Sequence, residues 1–278
     1  LLNPQDEVII LAPYWVSYPE MVKMAGAQPV YLSTSEETGF KITPEQLRAS
    51  VNDRTRLLIF NSPSNPTGAV YTPDEIRALA EVIVALGIVV ISDEIYEKLV
   101  YDDAQHLSIG SLGQEILDLT ITCNGFSKAY AATGWRLGYA AGPLHVIKAA
   151  IDFQSHSTSG ANTFAQYGAA AAIEGPQDAV EQMRQAFERR RDLMVSGVQS
   201  IPGLSCPTPQ GAFYVFPNIS ATSLDSQAFC RQLLEQEHVA IVPGIAFGSD
   251  GNVRLSYATD EGTIEKGIER LERFVRSL

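Results

Sequence analysis

The sequence predicts an α/β fold: a three-layer unit built on a mainly parallel sheet, followed by a smaller α+β unit. Three observations predict it. Short apolar runs alternate with amphipathic stretches early in the chain, the pattern of strand–helix–strand units whose sheet is covered on both faces. Helix-start signals fall between those runs. After Gly142 the alternation gives way to helices, and beyond Pro202-Gly203 only shorter strands and helices follow.

The strand-like runs are Val8–Leu11, Val30–Leu32, Leu57–Phe60, Ile88–Ile91 and Leu119–Cys123, with helices expected near Pro19–Ala25, Pro44–Val51 and Pro73–Leu86. Thr72-Pro73-Asp74-Glu75 sets a capping hydroxyl, a first-turn proline and acidic residues in helix-start order, and Gly87 ends that helix. Helices follow near Leu144–Phe153, Ala161–Ile173 and Gln177–Ser200. The last contains Glu188-Arg189-Arg190-Arg191-Asp192, which reads as a solvated helix face. Strands Phe213–Phe216, Ala240–Val242 and Val253–Tyr257 and helices near Ser226–Gln236 and Ile264–Arg276 complete the chain. The boundary is placed near Glu174-Gly175-Pro176, giving a large unit 1–174 and a small unit 175–278 bridged by the long helix. Leu1 through Glu7 reads like the end of a helix turning into the first strand, so the chain is expected to begin in mid-fold.

With 278 residues, 45% of them apolar, the chain can bury a substantial core. A net charge of −12 argues against nucleic acid or an anionic membrane surface as partner and leaves small-molecule chemistry. Cys123, Cys206 and Cys230 are odd in number and widely spaced, which indicates neither a disulfide framework nor a zinc site and fits a reducing cytoplasm. His106, His145, His156 and His238 form no ligand pair, so no metal is assigned. No apolar run is long enough to span a bilayer.

The chemistry concentrates in Ser127-Lys128-Ala129-Tyr130 through Gly138, where one lysine precedes Arg136 by eight residues among small and aromatic neighbours. A lysine amine can form a Schiff base with an aldehyde cofactor, and a guanidinium can hold a phosphate through paired donors. Together they describe a pyridoxal-phosphate site. Asn61 through Gly68 follows a strand and contains two X-Pro turns, giving a rigid loop at the carboxyl edge of the sheet, where open α/β sheets bind ligands. Its Asn65 offers an amide to a phenolic oxygen or a carboxylate. Asp93 ends the next strand, and a carboxylate there needs a cationic partner. A protonated pyridine nitrogen is such a partner. Tyr96, three residues on, could donate to the ring oxygen.

Ala12-Pro13-Tyr14-Trp15, Asn61–Gly68, Ser92–Tyr96, Ser127–Gly138 and Val253–Ala258 occur in the order seen in the fold-type I pyridoxal-phosphate aminotransferases. The whole chain resembles the bacterial-type (subgroup 1-beta) aspartate aminotransferases. The resemblance implies that Lys128 holds the cofactor as an imine and acts as general base, with Asp93 on the pyridinium nitrogen. Tyr96 and Asn65 would meet the ring oxygen and Arg136 the phosphate, while Trp15 would stack on the ring face and, with Asn65, border the substrate. Ser127 would support the phosphate weakly, because the serine that relatives place three residues before the lysine is here Gly125. Arg254 would grip the substrate α-carboxylate. The resemblance also implies a homodimer and an absent opening portion, with its phosphate-cradling loop and its distal-carboxylate recognition, so weaker cofactor binding is expected of this chain alone. The expected reaction is ping-pong transamination between an amino acid, L-aspartate first, and 2-oxoglutarate. Prephenate or aromatic substrates, a carbon–sulfur β-lyase and an aminotransferase-like regulator domain stay open as alternatives.

Overall fold

The computed structural model describes residues 1–278. Six strands form the large sheet: β1 (Glu7–Ala12), β2 (Gln28–Ser33), β3 (Thr55–Asn61), β4 (Val89–Asp93), β5 (Thr120–Gly125) and β6 (Gly138–Ala141). Their spatial order is β2-β1-β3-β4-β5-β6, parallel throughout except for β6, which runs antiparallel to β5. The sequence did not single out β6, because its small residues read as part of the lysine motif. Around the sheet lie α1 (Ser17–Met24), α2 (Pro44–Ser50), α3 (Pro73–Leu86), α4 (Gln114–Leu117), α5 (Leu144–Ser157) and α6 (Thr163–Glu174).

Strand alternation builds the layers. Val8, Ile10, Leu57 and Ile59 pack with Tyr18 and Val22 of α1 on one face, while Ile9, Leu58, Phe60 and Val90 pack with Leu47 of α2 and Ile76, Leu79 and Ile83 of α3 on the other. Successive residues of a strand point to opposite faces, so a run buried on both must be apolar throughout. Helix α3 follows its local signals closely. Thr72 Oγ1 accepts from the Glu75 amide and Glu75 Oε2 from the Thr72 amide, Pro73 opens the first turn, and Gly87 takes the left-handed conformation at φ 64° that closes the helix.

The remaining elements are α7 (Asp178–Gln199), β7 (Tyr214–Val215), α8 (Ser226–Glu237), β8 (Val242–Pro243), β9 (Val253–Ser256) and α9 (Glu261–Ser277), the strands forming a separate sheet ordered β7-β9-β8. Their core takes Val198 from α7, Phe229 from α8 and Phe274 from α9, and also draws in Tyr96, Leu99 and Tyr101 from the segment after β4.

Two expectations are corrected. Arg191 is not part of a solvated face: it is 3% exposed, with Nη1 2.6 Å and Nη2 3.0 Å from the Asp102 carboxylate, a further bond to Asp192 and one to the Pro209 carbonyl. A buried guanidinium is tolerable because its fork is filled by two carboxylates and a carbonyl. Arg189, by contrast, is exposed as expected. At the start, residues 1–6 make a turn closed by the Asp6 amide on the Asn3 carbonyl at 3.1 Å, not a helix end.

Candidate active site

The sheet order reverses at β1: β2 lies on one side and β3 on the other, leaving a crevice at the carboxyl ends of the strands, the standard ligand position in such sheets. A cavity of about 600 Å³ opens there. All eight residues that the sequence singles out line it: Trp15 after β1, Asn65 after β3, Asp93 and Tyr96 at and after β4, Ser127, Lys128 and Arg136 between β5 and β6, and Arg254 on β9. The two sheets thus share one site, and no element supplies it alone.

Asp93 ends β4 in register with Asn61 of β3 and Cys123 of β5. Its carboxylate accepts from the Tyr18 hydroxyl at 2.6 Å and the Ile95 amide at 3.2 Å, both neutral donors. Desolvation pushes its pKa above the ordinary aspartate range, partly opposed by those two bonds and by the nearby Lys128 charge. Tyr18, on α1, is the residue that sequence reasoning missed here. Its only signal was its position as the second residue of the helix that follows Trp15.

Lys128 follows the end of β5 on a short turn whose neighbours Phe126 and Ala129 are buried. Its Nζ lies 5.7 Å from the Tyr96 ring centroid and 5.4 Å from that of Phe213. Desolvation lowers its pKa, and the positive charges of Arg254 and then Arg136 lower it further against the pull of Asp93. Arg254 is thus the larger of the two cationic contributors, ahead of Arg136.

Gly125, three residues before Lys128, leaves no room for a side chain. A Cβ there would lie 3.0 Å from Gly138 Cα and 3.0 Å from the Leu137 carbonyl oxygen, because β5 and β6 approach closely at this pair. Only glycine fits without moving backbone.

On the far wall Arg254 stacks on two rings, its Cζ 4.4 Å from the Tyr214 centroid and 4.8 Å from that of Phe247. Nη1 donates to Asn65 Oδ1 at 2.8 Å, and Nε is buried without a partner. Asn65 is held in turn by its amide on Asn61 Oδ1 at 2.9 Å, and Asn61 Nδ2 donates to the Asp93 carbonyl at 2.9 Å. One chain of bonds therefore runs from the tip of β4 to Arg254. Tyr214, whose hydroxyl lies 2.9 Å from that of Tyr96, was also missed, since a tyrosine in an apolar strand reads as core.

Residues 1–271 match the family model described as aminotransferase class I and II. The chain belongs to the class I and II aminotransferases. Among relatives of this aminotransferase, an aspartate aminotransferase of Geobacillus stearothermophilus is 52% identical, over 100% of this chain and 72% of its own length. An aspartate/prephenate aminotransferase of Cereibacter sphaeroides is 49% identical over the same shares. The solved structure of the aspartate aminotransferase from Thermus thermophilus with maleate is 45% identical and superposes with a TM-score of 0.93, covering 100% of this chain and 71% of that one. The fold is accordingly that of the aminotransferases, with the mainly parallel sheet at its centre. No helix of this aminotransferase is long and apolar enough to cross a membrane.

Beside the site, Glu94, Glu97 and His106 bring one ligand-type atom each within 4.8 Å of one another. Glu94 already accepts from Ser92 Oγ at 2.8 Å and Ser108 Oγ at 2.9 Å and pairs with His106 Nε2 at 3.0 Å, so the group ties down the segment after Asp93.

Proposed function

We propose that this aminotransferase uses pyridoxal 5′-phosphate to move an amino group from an amino acid, L-aspartate first, to a 2-oxo acid, 2-oxoglutarate, in two successive half-reactions. One observation carries the reading. A lysine of lowered pKa, a desolvated carboxylate hydrogen-bonded only by neutral donors and an arginine with an unpaired buried Nε all face the same cavity. The donor set fits the cofactor. Asp93 has only neutral partners and lacks the positive charge that a protonated pyridine nitrogen would provide. Arg136 and Ser127 would hold the phosphate, Trp15 the ring face, and Tyr96 with Asn65 the ring oxygen.

When bound, pyridoxal phosphate supplies an aldehyde that condenses with amines and a protonated ring that accepts the electron pair released at the substrate Cα. The chain does the rest. Arg254 grips the α-carboxylate, its plane fixed by Tyr214, Phe247 and Asn65 before substrate arrives. Lys128 Nζ, its pKa lowered by desolvation and by Arg254, would take the proton from the substrate Cα and deliver it to the C4′ carbon of the cofactor. Asp93 keeps the ring-nitrogen proton in place. In the same reading residues 1–174 form the cofactor-binding unit and 175–278 the unit that carries Arg254, so gripping substrate draws the two together. The active form is a cytoplasmic homodimer.

The names of the Geobacillus and Thermus relatives support aspartate. That of the Cereibacter relative favours prephenate as a further acceptor. Titration with pyridoxal phosphate is expected to raise an absorbance band near the visible edge, absent in Lys128→Ala. Aspartate with 2-oxoglutarate is expected to yield glutamate. Persistence of the band in Lys128→Ala, or release of ammonia and pyruvate instead of glutamate, overturns the reading.

A further inference from the structure

The Tyr96 and Tyr214 hydroxyls lie 2.9 Å apart at the wall of the cavity, and each is the other's only hydrogen-bond partner. Both side chains are buried, Tyr96 at 3% and Tyr214 at 6% exposure. Two hydroxyls sharing one bond leave one proton free, and which one is free is a chemical question. Arg254 answers it. Its guanidinium lies 4.4 Å from the centre of the Tyr214 ring, and a cation over the ring makes that phenol the stronger acid and the better donor.

We propose that Tyr214 is a positioning residue: it donates to the Tyr96 oxygen, so that the Tyr96 proton is turned into the cavity to meet an anionic ring oxygen on the bound cofactor. This rests on the pyridoxal-phosphate reading above and adds to it a residue that acts through Tyr96. Accepting one hydrogen bond polarises a hydroxyl and strengthens the bond it donates, so Tyr214 makes Tyr96 a stronger donor than a lone tyrosine would be. A stronger donor at the ring oxygen favours its anionic form and makes the nitrogen joined to Lys128 harder to protonate. The surroundings are consistent. The charged groups facing Lys128 are Arg254, Arg136 and Asp93, and those facing Tyr96 are Lys128, Asp93 and Arg254, with Tyr18 and Tyr214 beside it; Lys128 Nζ stands 5.7 Å from the Tyr96 ring centre, farther than Arg254 from that of Tyr214. The Arg254 charge acts to lower the pKa of Tyr214 as burial raises it. The Tyr214 ring stays on Arg254 whichever way its hydroxyl points.

The test is the pH titration of the cofactor's visible band in the loaded protein, without substrate. Tyr214→Phe keeps the ring and removes the hydroxyl, and is expected to raise the apparent pKa of the band by about 0.5–1 unit, a threefold to tenfold change in proton affinity. Maleate affinity, which reads the Arg254 side, is expected to change by less than about twofold. In Tyr96→Phe the shift is expected to be larger, and Tyr96→Phe/Tyr214→Phe is expected to match Tyr96→Phe alone, because Tyr214 acts only through Tyr96. A Tyr214→Phe titration that overlays the parent's, or shifts that add in the double variant, overturns the proposal while leaving the cofactor reading intact. Absence of any titrating band in the parent overturns both. Melting curves of the same variants separate these outcomes from misfolding.

Discussion

Two arginines face one cavity, and they are built differently. Arg254 is held from three sides before any ligand arrives: rings of Tyr214 and Phe247 on its faces and Asn65 Oδ1 on Nη1. Arg136 is exposed, sits in a left-handed backbone conformation at φ 52°, and bonds only the carbonyl of Thr133 in its own loop at 3.1 Å. Preorganisation lowers the entropy cost of binding, and desolvation strengthens a charge interaction once the anion is in place. Arg254 is thus held in place by packing and a hydrogen bond, while Arg136, with Ser127 also at the cavity wall, is an exposed and water-screened group.

The largest effect should come from breaking the built side. Arg254→Lys keeps a positive charge but loses the planar fork and the stacking, and about 10²-fold in kcat/KM should go with it, mostly as a raised KM. Cofactor affinity should hardly move. A loss of cofactor affinity as large as the loss in kcat/KM would erase the division of labour. Arg136→Lys is the mirror experiment. It should weaken pyridoxal-phosphate binding by roughly tenfold in a spectral titration and leave KM for the amino acid within about twofold. Salt sharpens the same contrast. At about 0.5 M ionic strength the Debye length is well under 10 Å, so cofactor binding through exposed Arg136 should weaken severalfold, and maleate binding at Arg254 by less.

The asymmetry was only half visible in the sequence. Thr72-Pro73 and Gly87 announced α3 because cap chemistry is local, and the apolar runs announced β1, β3 and β4 because a strand covered on both faces has no polar option. Lys128, Asp93 and Arg136 stood out because each sits in a motif whose chemistry suits that side chain, and Arg254 only through the family resemblance. What stayed hidden depends on distant partners. Arg191 looked like a surface charge because Asp102, 89 residues away, does not show in the local pattern. Tyr18 and Tyr214 looked like core aromatics, and only the fold brings one to Asp93 and the other between Tyr96 and Arg254. The reason position 125 is glycine was equally invisible, since it lies in the approach of a strand, β6, that the pattern did not announce.

The smallest effect concerns the carboxylate of Asp93, which lines the same cavity, and it appears in stability. Desolvation raises the pKa of Asp93, so its ionised form costs the cofactor-free fold free energy. A group with a raised folded-state pKa contributes stability that is fully present below its unfolded value and is lost as pH rises through the folded one. The cofactor-free protein should therefore lose stability from this group as pH goes from about 4 toward neutrality, the bonds from Tyr18 and Ile95 reducing but not cancelling the loss. Asp93→Asn removes the charge and keeps an acceptor for Tyr18. Its melting temperature should equal the parent's near pH 4 and exceed it by a few degrees near pH 8, the difference between the two curves cancelling every other titrating group. With pyridoxal phosphate bound the order should reverse at pH 8, because the carboxylate then has its cation and the amide does not. Parallel curves for the two cofactor-free proteins across that range would mean that Asp93 is satisfied without a cation, and the argument that the cavity awaits a positively charged ring would lose its footing.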